Sequence, residues 1–429
     1  MDKSRETALK VLVKIDKDGA FSNIALKDEL SKNKKLTRQD RYFITNLVYG
    51  VVDKLLTLDY VISKLSKIKL KKISVWILNI LRLGIYQIMF MDKVPESAAV
   101  NESVNLAKRY GHGASKGFVN GVLRSATRYE IEYPDDKLEY LSVKYSYPIW
   151  LCEKFVNDFG YEFCEDLMIA FSKSPRLTLR VNTINSDIDT VFNALSEYNP
   201  EIFEDAIVCD GFDVSDNELY KKGYISVQDI SAQTAGKVLA PKKGETVIDM
   251  CAAPGGKTTQ LAEIMENEGR IYAFDMYEHK IDLINKNSKR LGIDIIDAKC
   301  QDATVLDNEL IGTADKILCD VPCSGLGIIG RKPEIKWNRQ EDLDSLLSVQ
   351  AKILENASRY VKPDGVIVYS TCTINKDENE KITDAFLKEH GEFKKTYEKT
   401  FYPNIDRGDG FYICRFEKNS RCISHALNA

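Results

Sequence analysis

The first 150 residues of this 429-residue chain contain no cysteine, although the whole chain has ten. Histidine is also scarce: the chain has four, and none lies near a Cys-x-x-Cys pair, the spacing that structural zinc sites commonly use. We therefore predict that the protein binds no metal. Cysteines in a chain without a secretory signal are expected to be free thiols in the reducing cytoplasm.

The sequence also lacks an uninterrupted hydrophobic run. Its N-terminus carries acidic residues and no apolar core, so we do not expect a signal peptide. The most apolar stretch, residues 73–91, contains Asn79, Arg82 and Gln87, which predicts a buried helix rather than a membrane span. With 44% hydrophobic and 10% aromatic residues the chain can form folded cores, which excludes disorder as its class.

The net charge of -4 hides a strong asymmetry along the chain. Residues 1–130 hold 24 Lys and Arg against 13 Asp and Glu, a net charge of +11. Residues 131–429 hold 36 against 51, a net charge of -15. A basic N-terminal third on an acidic body favours contact with a polyanion such as nucleic acid, while a solvated lysine-rich surface is the alternative.

The N-terminal third is predicted to be an all-helical domain over residues 1–130. Ile44, Leu47, Val48 and Val51 recur at the spacing of one helix face, and no strand-like alternation interrupts the region.

The middle region, residues 131–220, is predicted to be a small mixed α/β unit. Residues 175–185 alternate polar and apolar side chains like a half-buried strand, with Arg176 and Arg180 on one side. These arginines would either contact a phosphate backbone or face water, and the pattern leaves both interpretations open.

From residue 221 to residue 429 the pattern becomes strand–helix–strand. Short apolar runs predict five strands, at 246–250, 270–275, 296–300, 316–320 and 365–371. These strands alternate with helical segments, among them 277–291 and 339–361. This alternation predicts a parallel, doubly wound sheet with ligands at the carboxyl ends of its strands. Residues 408–416 predict a further strand at an antiparallel edge.

The first strand of this unit runs into a glycine-containing turn. Gly255 and Gly256 would let backbone N–H groups approach a ligand at the start of a helix. The turn is not a phosphate-binding P-loop, because Cys251 occupies the position of the first glycine of that motif.

Acidic residues end or follow four successive strands, and we expect them to line one crevice: Asp249, Asp275, Asp302 and Asp320. Asp275 lies 19 residues after the second glycine of the turn, the spacing at which an acidic side chain binds ribose hydroxyls in nucleotide-binding α/β folds. Any single one of them is more often a turn or a helix cap, but the series favours a nucleotide site.

Two cysteines are expected at the same edge of the sheet. Cys323 follows the strand that ends in Asp320, and Cys372 follows the next strand along the chain. A polar strand end before a helix N-terminus is predicted to lower the thiol pKa. Asn375 and Glu378 have the spacing of a helix-capping box.

Three segments resemble the signature motifs of the RNA cytosine-C5 methyltransferases that use S-adenosylmethionine: "DMCAAPGGKT", "DVPCSGLGIIGRKPEIKW" and "YSTCTINKDENE". Near the N-terminus, "LTRQDRYFITNLVYGVV" and "VPESAAVNESVNLAKRYGHGASKGFVNGVLR" resemble the NusB-like RNA-binding domain. The combination is similar to the bacterial RsmB (Sun/Fmu) type, which methylates small-subunit ribosomal RNA. Val321, where alanine is usual, and "FYICRF" depart from the pattern without touching a reacting group.

The resemblance implies a fold and a function. It implies an all-α NusB-like domain (1–130), a small α/β RNA-contacting region (131–220) and a Rossmann-like S-adenosylmethionine-dependent methyltransferase domain (221–429). The reaction implied is methylation of C5 of a cytosine in 16S ribosomal RNA, of the type that modifies position 967. The expected partner is that RNA, free or in an early small-subunit assembly, with a cytoplasmic monomer as the acting form and no membrane contact.

The resemblance also implies roles for single residues. Cys372 would be the nucleophile that adds to C6 of the base, and Cys323 would assist loss of the C5 proton and release of the product. Asp320 would contact N3 of the ring, and Lys257 would favour the Cys372 thiolate. The residues implied to hold the cofactor S-adenosyl-L-methionine are Cys251, Ala252, Ala253, Pro254, Gly255, Gly256, Lys257, Asp275 (ribose), Asp302 (adenine) and Asp320.

Three alternatives remain open. A DNA cytosine-C5 methyltransferase catalyses the same chemistry, but it needs only the Pro-Cys thiol and leaves Cys372 unexplained. A NusB-like RNA-binding assembly factor with an inactive methyltransferase body is disfavoured by the intact glycine turn, acidic residues and both thiols. The same enzyme acting on another RNA, such as transfer RNA, is the third.

Overall fold

A computed structural model describes residues 2–18, 22–33, 35–173, 175–338 and 340–420. The chain divides into two compact units: Met1–Ile169 with Lys332–Trp337, and Ala170–Arg331 with Asn338–Ala429. The domain boundaries inferred from the sequence stay predictions.

Within the described residues up to 130, every regular element is helical, as predicted. The α-helices of this part and of the residues that follow are α1 (Lys3–Asp18), α2 (Ser22–Lys32), α3 (Arg38–Asp53), α4 (Leu55–Leu65), α5 (Val75–Phe90), α6 (Glu96–Tyr110), α7 (Ser115–Ala126), α8 (Lys137–Tyr145), α9 (Ile149–Phe159) and α10 (Tyr161–Phe171). Helix α3 begins with a capping box, in which Thr37 and Asp40 satisfy each other's backbone N–H groups.

Helix α5 is the buried helix that the sequence predicts for the most apolar stretch. Its polar side chains are buried and paired within the bundle. Arg82 binds Asp16 at 2.6 Å and Asp59 at 2.7 Å, and Asn79 donates to the same Asp16 at 2.9 Å. Pairing offsets the cost of removing these groups from water, so an apolar helix tolerates them. Among the described residues, no helix is long and apolar enough to span a bilayer.

The smaller sheet of the second unit comes from the middle region. It is antiparallel, with strand order β2-β3-β1-β4, and it lies near two short helices. The elements are β1 (Leu177–Val181), α11 (Ile188–Ala194), β2 (Glu201–Phe203), β3 (Ala206–Cys209), α12 (Glu218–Lys221) and β4 (Ile225–Val227).

Arg180 lies in β1 and Arg176 directly before it, and their environments differ. The interpretation that both arginines face phosphate or water is wrong for Arg180. Arg176 is partly exposed and pairs with Glu201 at 2.6 Å. Arg180 is buried and donates to Thr259 at 2.9 Å and to Glu263 at 2.8 Å. Burial of the guanidinium is possible because a carboxylate and a hydroxyl receive its N–H groups.

The larger sheet has strand order β10-β11-β9-β8-β5-β6-β7. The five strands predicted from apolar runs pair in parallel, and β10 and β11 form the antiparallel edge that the sequence also predicts. The elements are α13 (Ile230–Leu239), β5 (Thr246–Asp249), α14 (Gly256–Ile264), β6 (Arg270–Asp275), α15 (Glu278–Leu291), β7 (Ile296–Cys300), β8 (Ala314–Asp320), α16 (Gln340–Tyr360), β9 (Val361–Thr371), α17 (Glu380–Glu389), β10 (Phe393–Phe401) and β11 (Phe411–Lys418).

Both faces of this sheet are covered by apolar side chains. Ile317 and Ile367 belong to the core on one face, while Leu318, Val366 and Val368 belong to the core on the other. Successive side chains of a strand point to opposite faces of the sheet. Because both faces are covered here, both sets of side chains are apolar, and the strands appear in the sequence as continuous apolar runs. In the central strands β5, β6 and β8, an aspartate stands at the carboxyl end: Asp249, Asp275 and Asp320.

Candidate active site

The sheet places a crevice at the carboxyl ends of β5 and β8. These strands are neighbours, and the chain runs outward from them in opposite directions along the sheet, to β6 and β7 on one side and to β9 on the other. Open α/β sheets bind ligands where the strand order reverses in this way. Asp320 ends β8, Cys323 follows it, and Cys372 follows β9, so the predicted shared edge is the place where all three meet.

The two thiols are in contact. The Sγ atoms of Cys323 and Cys372 lie 3.3 Å apart, and both residues are partly accessible. The Gly327 N–H donates to the Cys372 carbonyl at 3.0 Å, and the Gly410 N–H donates to the Gly327 carbonyl at 2.8 Å. A Cβ on Gly327 would lie 2.0 Å from the Gly410 carbonyl oxygen, so only glycine permits this approach of the Cys323 loop to β9 and β11.

A charged pair lies beside the thiols. The Lys257 ammonium binds the Asp320 carboxylate at 2.7 Å, and the Ser370 hydroxyl donates to its other oxygen at 2.8 Å. Burial lowers the pKa of Lys257, but the adjacent Asp320 charge outweighs it, and the resulting pKa lies above its ordinary value. Lys257 therefore stays protonated. Its ammonium also lies 5.0 Å from the centre of the Phe411 ring.

The prediction of a lowered thiol pKa is wrong for Cys323. Its pKa lies well above the ordinary value, because of the hydrogen bond between the two thiols, the loss of water around the sulfur atom, and the negative charges of Cys372 and Glu378. The strand end does not run directly into a helix here, since the next α-helix begins at Gln340. Without a nearby helix N-terminus, the hydrogen bond from the Gly325 backbone, which lowers the pKa of Cys323, is too weak to offset burial and the neighbouring negative charges.

The glycine turn after β5 leaves room for the cofactor that the resemblance implies. Gly255 has φ +99°, which favours glycine, and a Cβ built on Gly256 would meet no atom within 4 Å. Open space therefore lies above the N-terminus of α14, where backbone N–H groups point outward. The Asn287 amide fixes the turn by donating to the Pro254 carbonyl at 2.9 Å.

The acidic series is only partly exposed to the crevice. Asp275 is 8% exposed and pairs with Lys280 at 3.3 Å, and Asp302 is exposed and accepts from Thr304 in a local turn. Asp249 does not line the crevice as expected, because it is 1% exposed and accepts from the Thr258 hydroxyl. Burial raises the pKa of Asp249 to about 7.

The sequence analysis missed one polar contact and misassigned one residue. Ser370 orients Asp320, and the signal that could have shown it is a hydroxyl at the end of an apolar run. The capping box expected at Asn375 and Glu378 is wrong: α17 begins at Glu380, and the Glu378 side chain turns inward to the cysteine loops. Among the described residues, no three His, Cys, Asp or Glu side chains are grouped so that they could hold a metal ion.

Comparisons with known families match the whole architecture. Residues 236–417 match the model described as 16S rRNA methyltransferase RsmB/F, residues 2–128 match the NusB family, and residues 147–216 match the ferredoxin-like domain of RsmF/B-like methyltransferases. The chain belongs to the RsmB/F family of methyltransferases. Its fold is thus a NusB-like helical domain, a ferredoxin-like middle domain and a Rossmann-like methyltransferase domain, and its activity is S-adenosylmethionine-dependent methyl transfer.

Individual relatives agree along nearly their full length. The probable ribosomal RNA small subunit methyltransferase B of Bacillus subtilis is 35% identical, covering 96% of this chain and 98% of the relative. The protein of the same name from Synechocystis is 34% identical, covering 97% and 100%. The crystal structure of PH0851 superposes with a TM-score of 0.80 at 28% identity, covering 97% of this chain and 99% of that one.

Proposed function

We propose that this enzyme methylates C5 of a cytosine in 16S ribosomal RNA through a covalent bond between Cys372 and C6 of the base. The observation that supports the proposal most strongly is the contact between two thiols beside a protonated lysine and a carboxylate. A binding module or a buried core would need no more than a single thiol at this place. Two thiols in contact at a ligand crevice suit a reaction with two thiol-dependent steps.

The first step activates a weak nucleophile. When the Cys372 thiolate bonds to C6, the electron pair of the C5–C6 double bond moves toward C5 and the ring nitrogen N3. Asp320 in its protonated form stabilises the negative charge that builds at N3, by donating a hydrogen bond or its proton to that nitrogen. Lys257, held at Asp320, adds positive charge that favours the thiolate of Cys372.

The cofactor supplies one thing to this reaction, an electrophilic methyl group on a sulfonium. The residues from Cys251 to Lys257 would hold its methionine part, Asp275 its ribose hydroxyls and Asp302 its adenine. Asp320 contacts Lys257 and stands beside the thiols, so it links the cofactor turn to the base.

The second thiol suits the step after methyl transfer, when the C5 proton leaves and the bond between Cys372 and C6 breaks. The pKa of Cys323 is raised chiefly by its hydrogen bond to Cys372. Bonding of Cys372 to carbon removes the negative charge of that partner, so Cys323 becomes easier to deprotonate once the adduct exists. Cys323 thus becomes available as a base when the C5 proton must be removed.

The target base must leave its stack to reach the thiols, which favours unpaired RNA. The basic N-terminal domain suits contact with RNA phosphates. The names of the relatives and the description of the matching family support small-subunit, 16S ribosomal RNA as the substrate, and position 967 is proposed from the resemblance of the sequence motifs alone. We further propose that a monomer acts in the cytoplasm, on free RNA or on an early small-subunit assembly.

Bisulfite sequencing of total RNA from cells with and without this protein tests the substrate directly. We expect one cytosine of 16S ribosomal RNA, at position 967, to lose its protection when the protein is absent. Loss of protection in a transfer RNA would replace the substrate. Unchanged protection in every RNA, together with no cofactor binding by calorimetry, would favour the RNA-binding factor with an inactive methyltransferase body.

A further inference from the structure

Behind the two thiols lies a buried carboxylate that the reaction as proposed does not use. Glu378 is 0% exposed and accepts five hydrogen bonds, all from neutral donors. One oxygen receives the Ser324 N–H at 2.8 Å and the Gln350 amide at 2.9 Å. The other receives the Asn375 amide at 2.9 Å and the hydroxyls of Ser324 and Thr373.

These donors belong to the two loops that carry the thiols. Ser324 is the neighbour of Cys323, and Thr373 is the neighbour of Cys372, so one carboxylate bridges both loops. The hydroxyls of Ser324 and Thr373 also contact each other at 2.8 Å. Gln350 from α16 extends the network, since its amide donates to the carbonyl of Pro322 at 3.0 Å.

A general need for stability does not explain such a group. A buried carboxylate that receives only neutral donors loses much of its solvation energy, and apolar side chains in place of the carboxylate and its donors would fill the space at lower cost. Helix capping does not explain it either, because α17 begins two residues later. The network joins the two cysteine loops through several side chains, and connected polar networks fix one arrangement of the groups around them.

We propose that Glu378 is a positioning residue that holds the Cys323 loop against the Cys372 loop, so that both thiols keep the contact on which the two steps of methyl transfer depend. This inference rests on the proposed function for its catalytic meaning. Its geometric content, that Glu378 sets the separation of the two sulfur atoms, can be measured without any RNA.

The geometric test uses diamide, an azo compound that oxidises two neighbouring thiols to a disulfide and is itself reduced to a hydrazine. The rate at which the Cys323–Cys372 peptide pair forms is followed by mass spectrometry in the full-length protein. We expect Glu378→Gln, which keeps the size of the side chain, to slow this reaction about tenfold. The matched control is Glu380→Gln, since Glu380 accepts from Thr400 and contacts neither loop.

The catalytic test compares kcat with KM on 16S ribosomal RNA. We expect Glu378→Gln to lower kcat by about 100-fold, the effect of displacing a reacting group by roughly an ångström, with KM for the cofactor unchanged. Ser324→Ala removes one donor at the other end of the network. If both act through one network, the double variant is no slower than Glu378→Gln alone.

The outcomes separate this inference from the proposed function. If the wild-type protein does not methylate RNA, the proposed function fails, and the diamide rates still test the geometry. If the wild-type protein methylates RNA while Glu378→Gln keeps the wild-type kcat and diamide rate, the positioning role is overturned. It is equally overturned if Glu378→Gln slows both rates only in proportion to a loss of cofactor binding and thermal stability, as a general folding defect would.

Discussion

Two buried charges, one in each unit of the molecule, are held in different ways. In the helical unit, Arg82 lies between Asp16 and Asp59 and is neutralised by both. In the catalytic unit, Glu378 is as deeply buried but receives only neutral donors. A charge paired with opposite charges lets an apolar helix pack in a bundle, whereas a charge held by neutral donors holds two loops against each other. The same type of burial therefore stabilises a fold in one unit and orders a site in the other.

The largest effect is expected at the thiol that forms the adduct. Cys372→Ala removes the proposed nucleophile, so we expect methyl transfer from labelled S-adenosylmethionine to 16S ribosomal RNA to fall to background. Cys300→Ser is the control, because Cys300 is exposed at the end of β7 and lies in neither cysteine loop. Activity retained by Cys372→Ala would remove this residue from the mechanism.

The next effect sharpens the contrast between the two units. Arg82→Met leaves Asp16 and Asp59 buried in part and without their cation, and we expect the free energy of unfolding to fall by about 3 kcal/mol. Chemical denaturation followed by circular dichroism measures it. If Glu378→Gln destabilises the protein as much as Arg82→Met does, the two buried charges play the same role and the comparison fails.

A smaller effect concerns the buried acid at the end of β5. The pKa of Asp249 rises from the ordinary 3.8 to about 7 on folding, chiefly through burial. Between these values the folded state binds more protons than the unfolded state, so the contribution of Asp249 to stability is full below pH 3.8 and is lost as pH rises through 7. We expect Asp249→Asn to flatten the decline of the unfolding free energy over this window by on the order of 1–4 kcal/mol. An identical pH profile in both proteins would show that Asp249 ionises freely.

The smallest effect is expected at the surface of the helical unit. Arg109 pairs with Glu6 at 3.1 Å but is 56% exposed, so solvent weakens the attraction. Arg109→Ala should change the free energy of unfolding by less than about 1 kcal/mol. A loss as large as that of Arg82→Met would show that exposure does not separate the two arginines.

Much of the structure of the catalytic unit could be predicted from the sequence, because local patterns of apolar and polar residues determine its strands. The five parallel strands follow from apolar runs, and a parallel sheet brings the polar residues that follow β8 and β9 to one edge. On this basis the sequence alone predicts that Cys323, Cys372 and Asp320 lie close together. The apolar helix α5 could be read in the same way, from its composition and its three polar residues.

What sequence could not supply is the direction of single side chains. The sequence predicted that Arg180 contacts phosphate or water, because alternation in a strand does not say what covers each face. Its partner Thr259, on the helix that covers it, is 79 residues away in the sequence. Glu378 matched a capping box because the spacing is local, whereas its real partner Ser324 is 54 residues distant. The thiol pKa of Cys323 likewise depends on neighbours from other strands.

The most direct test of the central claim is a search for covalent protein–RNA complexes on denaturing gels, after 16S ribosomal RNA and S-adenosylmethionine are mixed with the Cys323→Ala or the Cys372→Ala variant. The account predicts that Cys323→Ala accumulates a complex that survives denaturation, because release is blocked after Cys372 has bonded to C6, and that Cys372→Ala forms none. A complex that accumulates with Cys372→Ala and is absent with Cys323→Ala would contradict it.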